Sequence, residues 1–274
     1  MEYFTTFKIN NHIYQIKDAM NVLSTLIIGK EKAMVIDTGY GIYNLKAYIE
    51  KITSLPLIVV DSHGHMDHTG GNYLFDKVYI NKKDYDLCKK HNSYDWRLNN
   101  LLTAQKLKLI DTTYDMDYYL KQREGNLVFF NDNQLFDLGG LQVKVINMEG
   151  HTTGSVGFLI IEDKILVSSD ASCPFIWIFL PESTDVETYI KMLKRTLKYD
   201  FDSFLVGHGA GKLLPKTRME DFLKVACDID LDKSVKVSFN HFENANSYCY
   251  TKGTMYNQDD AGIVFDPNRL KSKD

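Results

Sequence analysis

Apolar and polar positions alternate over the first twenty residues, and short apolar runs follow, so the N-terminal third predicts strands. FTTFKIN and IYQIK flank Asn10-Asn11, a hairpin signal. NVLSTLIIG and KAMVIDTG follow, joined by the polar GKEK. In GIYNLKAYIEKIT the period changes: Ile42, Leu45, Tyr48, Ile49 and Ile52 are three and four apart, which predicts a helix. LPLIVVDS reads as a short buried strand. Residues 69–125 read as mostly helical and polar-aromatic, with weak helical spacing at Leu98, Leu101 and Leu102. NLVFFNDNQLFDLGGLQVKVINM returns to strand character with a turn at Gly139-Gly140. VGFLII and KILVSS predict a hairpin through Glu162-Asp163. Thr184 to Glu187 matches a capping box, ahead of a helix with Val186, Tyr189, Ile190, Leu193 and Leu197 on one face. FDSFLVG is a strand and MEDFLKVAC a helix; YCYTKGTMY and AGIVF predict strands near the C-terminus.

Strands followed by helices thus occur twice. That order predicts an α+β chain of two sheets packed face to face with helices outside. No Pro/Gly/Ser-rich linker or repeat interrupts it, so a single domain over residues 1–274 is expected, with a helical insertion at about 84–125. Apolar and charged fractions of 44% and 25% are those of an ordinary globular protein. A net charge of −4 gives no general attraction to nucleic acid or to an anionic membrane, so neither is expected as a partner. The first twenty residues lack a continuous apolar stretch of the kind that directs export. Cys88, Cys173, Cys227 and Cys249 form no CxxC pair and read as reduced thiols. A cytoplasmic location is therefore expected. The sequence leaves a homodimer open.

The chemistry is concentrated in SHGHMDHTGG, where His63, His65, Asp67 and His68 fall within six consecutive positions of a chain holding eight histidines in all. Imidazole and carboxylate are natural ligands of zinc, and also suit iron or manganese. His63 and His65 are two apart where a strand ends, so both can address one ion. Asp67 and His68 face elsewhere after a turn and can address a second. Gly64, Gly70 and Gly71 permit tight backbone paths around them. Two coordination shells need more ligands than this, and metal-type residues stand at three other strand ends: His151 in EGHTTGS, Asp170 in SSDA and His208 in LVGHG. His12, His91 and His241 carry the ordinary structural expectation. His241 is the one that a C-terminal strand could bring near the site.

These motifs, in this order, resemble those of the metallo-β-lactamase-fold hydrolases over about residues 20–265. VIDTG resembles the family's first motif, SHGHMDHTGG its HxHxDH motif, and EGHTTGS, SSDA and LVGHG its third to fifth. The resemblance implies an αββα four-layer sandwich of two mixed sheets with the site at one edge. It implies one ion held by His63, His65 and His151, a second by Asp67, His68 and His208, and Asp170 bridging them. Asp37 would support a ligand by hydrogen bonding. Asp170 stands where the commonest zinc β-lactamases carry cysteine, which turns the resemblance toward the glyoxalase-II and lactonase side.

Two divalent ions, zinc first, would lower the pKa of a shared water and polarise a carbonyl. Asp67 would orient the nucleophile and carry its proton. The expected activity is hydrolysis of a small ester, thioester or lactone. The alternatives are a phosphodiesterase or nuclease, a mononuclear-iron oxygenase of the same fold, and a non-catalytic metal-binding protein. Trp96, Tyr114, Tyr118 and Tyr119 of the insertion, with Phe175, Trp177 and Phe179, are the candidate substrate-pocket residues.

Overall fold

The computed structural model describes residues 2–111, 113–131, 133–239, 242 and 244–271. His241 lies outside the described residues. The chain divides into two compact units, residues 1–144 with 207–212, and residues 145–206 with 213–274.

In the first unit one sheet runs β1 (Phe4–Lys8), β2 (Ile13–Asp18), β3 (Leu23–Ile28), β4 (Ala33–Ile36), β5 (Leu57–Val60), β6 (Val78–Ile80) and β7 (Leu127–Phe129). Strands β1 to β4 pair antiparallel, and β4 to β7 pair parallel. β6 was not expected. Its three residues, VYI, are too few to show a period, and it forms because β5 and β7 flank it. The helix expected at 41–53 shortens to α1 (Leu45–Ile49), capped by Asn44, whose side chain accepts from Ala47 N. Leu45 and Ile49 pack on Ile16, Leu26, Val35 and Val59 of the sheet. Four more helices follow: α2 (Met66–Thr69), α3 (Tyr85–His91), α4 (Tyr94–Lys106) and α5 (Met116–Lys121). Met66, Leu101, Ala104, Tyr119 and Leu120 of these helices share a second apolar cluster with Ile42. β8 (Leu135–Asp137) turns through Gly139-Gly140, both at positive φ, into β9 (Gln142–Asn147).

In the second unit a sheet runs from β9 through β10 (Val156–Ile160), β11 (Ile165–Ser169) and β13 (Ser203–Val206) to β14 (Leu214–Pro215). β12 (Phe175–Ile178) does not join it. It pairs parallel with β17 (Gly262–Phe265), which pairs with β16 (Tyr248–Thr251) and then β15 (Val235–Lys236). One sheet was expected here, and two hydrogen-bonded sheets are present. β11 ends at Ser169 with a positive φ and a register shift against β13, so the ladder breaks there. α6 (Val186–Thr196) buries Val186, Tyr189 and Leu193 as its spacing predicts, and α7 (Lys216–Cys227) buries Met219, Phe222 and Val225. The cap of α6 is Asp185, whose side chain accepts from Thr188 N, and not Thr184 as the capping-box pattern suggested. The Thr184 hydroxyl donates instead to the Asp185 carbonyl.

The chain is therefore mixed α+β, with mixed sheets and seven α-helices among the described residues. No helix among them is long and apolar enough to cross a membrane.

Candidate metal centre

β4 and β5 run parallel with Ile36 opposite Val60, so their carboxyl ends lie side by side. Asp37 leaves the first strand and Asp61-Ser62-His63 the second. Asp37 is held at φ +65, and its buried carboxylate collects three donors. Ser62 N donates to Oδ1 at 2.7 Å; Ser62 Oγ and His68 Nδ1 donate to Oδ2, both at 2.9 Å. The Ser62 proton is thereby committed, so Ser62 Oγ accepts from His63 Nδ1, also at 2.9 Å. One carboxylate thus fixes two histidines, one directly and one through a hydroxyl, with the proton of each ring on Nδ1.

α2 is four residues long and could not persist alone. His65 is its N-cap residue, and the turn carries Asp67 and His68. It is held by backbone packed on backbone: Thr38 N donates to the His68 carbonyl at 2.7 Å. A Cβ added at Gly41 would lie 2.2 Å from the Gly70 carbonyl oxygen, and one at Gly70 would lie 2.4 Å from that of Tyr40. Only glycine permits this approach, and Gly41 is also at φ +69.

His208 enters the same unit from the segment after β13. Its Nδ1 donates to the Asn21 carbonyl at 3.0 Å, and Val22 and His208 form an isolated antiparallel bridge. Since His68 Nδ1 and His208 Nδ1 both donate to acceptor-only oxygens, both Nε2 atoms are acceptors in the neutral rings. They nevertheless face each other at 3.3 Å, and Asp67 Oδ2 lies 3.5 Å from one and 3.4 Å from the other. Three acceptors converge with no donor among them, which is the chemistry of a cation site. Beside this set, His63 Nε2 and His65 Nδ1 are 3.1 Å apart.

In the second unit, His151 follows β9. Its Nδ1 donates to the Trp177 carbonyl at 2.9 Å, and Ser183 Oγ donates to the His151 carbonyl at 2.7 Å. Asp170 is the first residue beyond β11, just past the strained Ser169.

The aromatic candidates separate. Trp96 stacks on His91 with ring centroids 3.9 Å apart, and His91 stacks on His65 at 5.0 Å, so Trp96 lies one ring removed from a metal-type histidine. Tyr119 is fully buried, with its hydroxyl donating to the Tyr40 carbonyl. Tyr114 and Tyr118 line a different cavity, shared with Tyr43 and Tyr73. Phe175 and Phe179 are buried in an apolar cluster that also includes the half-buried Trp177, Phe239 and Phe242.

Several supports carried no sequence signal of their own. Asp18 Oδ1 accepts from Met20 N and Val22 N, and so shapes the turn that brings the Asn21 carbonyl to His208. Thr38 Oγ1 donates to Asn72 Oδ1 at 2.7 Å, and Asn72 Nδ2 donates to Asp61 Oδ2 at 2.7 Å. Burial raises the Asp61 pKa well above the carboxylate range. Gly64 N donates to Asp84 Oδ2 at 2.9 Å, which ties the HxH segment to the turn before α3.

Comparison with known proteins follows the same line. Residues 18–208 match the family described as the metallo-beta-lactamase superfamily. The chain is 26% identical over 176 residues to the human acyl-coenzyme A thioesterase MBLAC2 (Homo sapiens), a match covering 60% of this chain and 62% of that one. It is 26% identical over 135 residues to glyoxylase B2 of Dictyostelium discoideum, covering 47% and 40% of the two chains. The chain thus spans less than two thirds of the length of these relatives. Among solved structures, a metallo-beta-lactamase from Pontibacter korlensis superposes with a TM-score of 0.57 at 18% identity, covering 82% of this chain and 100% of that one. At that identity the likeness is one of fold.

Proposed function

Since this chain belongs to the metallo-beta-lactamase superfamily, we propose that it is a metal-dependent hydrolase of a small acyl compound, a thioester first, with esters and lactones as the related substrates. The observation that carries this reading is the convergence of Asp67 Oδ2, His68 Nε2 and His208 Nε2, three acceptors that a cation satisfies. Similarity to an acyl-coenzyme A thioesterase supports the choice of thioester.

In this reading residues 1–274 act as one domain, and His151 and Asp170 complete the sets begun in the first unit. His63, His65 and His151 would hold one ion and Asp67, His68, Asp170 and His208 another, with Asp170 taken as the shared ligand. Divalent ions there, zinc first and iron or manganese otherwise, supply Lewis-acid polarisation of the acyl carbonyl and a lowered pKa for water. Asp67 would orient the attacking water and carry its proton toward the leaving sulfur or oxygen. Asp37 keeps the protons of His63 and His68 on Nδ1, so that Nε2 of each stays a donor of electrons. The Trp177 carbonyl does the same for His151, and the Trp177 ring offers an apolar wall to an acyl chain.

The test is elemental analysis of the purified protein, then rates on an acyl-coenzyme A, a p-nitrophenyl ester, a lactone and bis-p-nitrophenyl phosphate. Bound zinc and preferred thioester turnover are expected. A preference for the phosphodiester would replace this reading with a phosphodiesterase. A single iron per chain with oxygen uptake would replace it with an oxygenase.

A further inference from the structure

Four tyrosines from three segments of the first unit surround a cavity of about 360 Å³. Tyr43 precedes α1, Tyr73 follows α2, and Tyr114 and Tyr118 stand at the start of α5; Asp111 and Asp115 add carboxylates, and Ile42, Asn44, Leu74 and Thr113 complete the wall. The rings are fixed from behind. Tyr43 donates its hydroxyl to the Leu109 carbonyl at 3.1 Å, Tyr73 to that of Gly41 at 2.9 Å, and Tyr114 to that of Ile42 at 2.7 Å. Tyr43 and Tyr114 meet edge to face with centroids 5.7 Å apart, and Tyr73 and Tyr118 at 6.1 Å. Three hydroxyls are therefore spent on backbone oxygens, and the rings, not the hydroxyls, are what these residues have to offer a ligand.

The charge is one-sided. No Lys, Arg or His is among the described residues lining the cavity. Hydrogen bonds from the Thr113 hydroxyl and amide hold the Asp111 carboxyl below its usual range, so it is anionic at neutral pH. Asp115 caps α5 through Oδ1, accepting from Tyr118 N at 2.8 Å. The guanidinium of Arg97 stands 5.3 Å from the Tyr73 ring centroid but is fully buried and is not among the lining residues.

Fixed aromatic faces with carboxylates beside them attract a weakly hydrated cation, through the ring quadrupole and through charge. An anion is repelled. A bare metal ion needs a close shell of oxygens, which ring faces do not give. The volume is at the small end of ligand pockets, enough for an ammonium head and a short chain. We propose that this cavity is a binding site for a small organic ammonium ion, seated among Tyr43, Tyr73, Tyr114 and Tyr118 and balanced by Asp111 and Asp115. No metal-type histidine is among its described lining residues, so the proposal stands apart from the hydrolytic reading.

Titration calorimetry with tetramethylammonium and choline tests it, with 3,3-dimethylbutan-1-ol as the neutral isostere of choline and sodium chloride as the inorganic control. Saturable binding of both cations is expected, with the isostere about 10-fold weaker or more. The double variant Asp111→Asn, Asp115→Asn keeps the turn and cap acceptors and removes the charge. It should bind tetramethylammonium about 10-fold more weakly with an unchanged circular dichroism spectrum. Should the double variant lose its fold, Tyr118→Leu at the exposed wall must show a comparable loss of affinity. The proposal is overturned by absent saturation, by equal affinity for choline and its isostere, by sodium competing as well as tetramethylammonium, or by a folded variant with wild-type affinity.

Discussion

Asp37 shows how much of a metal centre can rest on one side chain that would not touch the metal. Its carboxylate takes three hydrogen bonds while almost fully buried, and through them sets the tautomers of His63 and His68. Replacing it leaves Ser62 Oγ and His68 Nδ1 without an acceptor, and both rings become free to turn. Asp37→Ala is expected to weaken zinc affinity by about 10–100-fold. Competition with a chromophoric chelator measures this, and wild-type affinity in a folded variant would remove the supporting role. Asp18 works one step further out, since it holds the turn whose Asn21 carbonyl orients His208.

At the scale of elements, the four-residue α2 carries Asp67 and His68 and is stabilised almost wholly from outside itself. The turn around 37–41 lies so close to it that side chains are excluded at Gly41 and Gly70. Gly70→Ala is expected to cost about 1–3 kcal/mol, because either the backbone approach or the helix must give way. Urea denaturation reads the cost, and an unchanged midpoint would show that the loops can separate freely. The segment at about 84–125 reaches the histidine cluster through the Trp96, His91 and His65 rings. On the proposed hydrolytic reading, Trp96→Ala is expected to raise KM for an acyl substrate while metal content stays constant, since the ring stacks on His91 and is no ligand. Loss of metal with unchanged KM would assign Trp96 to support of His65 instead.

For the molecule as a whole, the proposed hydrolytic reading takes seven ligand-type side chains with Asp170 shared, so it expects two metals per chain under metal-replete conditions. A stable stoichiometry of one with full activity would reject the dinuclear arrangement. Ions that bind only the folded chain also stabilise it, by about 4 kcal/mol at a free concentration a thousand times the dissociation constant. Removal by a chelator should therefore lower the melting temperature, and restored zinc should raise it again. An identical melting temperature with and without metal would mean that the site is not tied to the fold.

The residues differ in how far they could be read from the sequence, and the difference follows the range of the interactions involved. Alternation and short apolar runs gave β1 to β5 and spacing gave the buried face of α6, because strand and helix patterns act over a few residues. The HxHxDH cluster was legible for the same reason, since its geometry is one strand end and one turn. The three residues of β6 and the separation of β12 from β11 were not legible, because neighbouring strands decide them. Nor were the hydrogen-bond partners. Asp37 meets His68 across 31 positions, and His68 meets His208 across 140. Asn21, Asn72 and Asp61 look like ordinary polar residues until the chain folds around them. The sequence by itself determined which groups could bind a cation and which strands would carry them. Only the tertiary structure decided which nitrogen of each ring faces inward, because that depends on an acceptor brought from far along the chain.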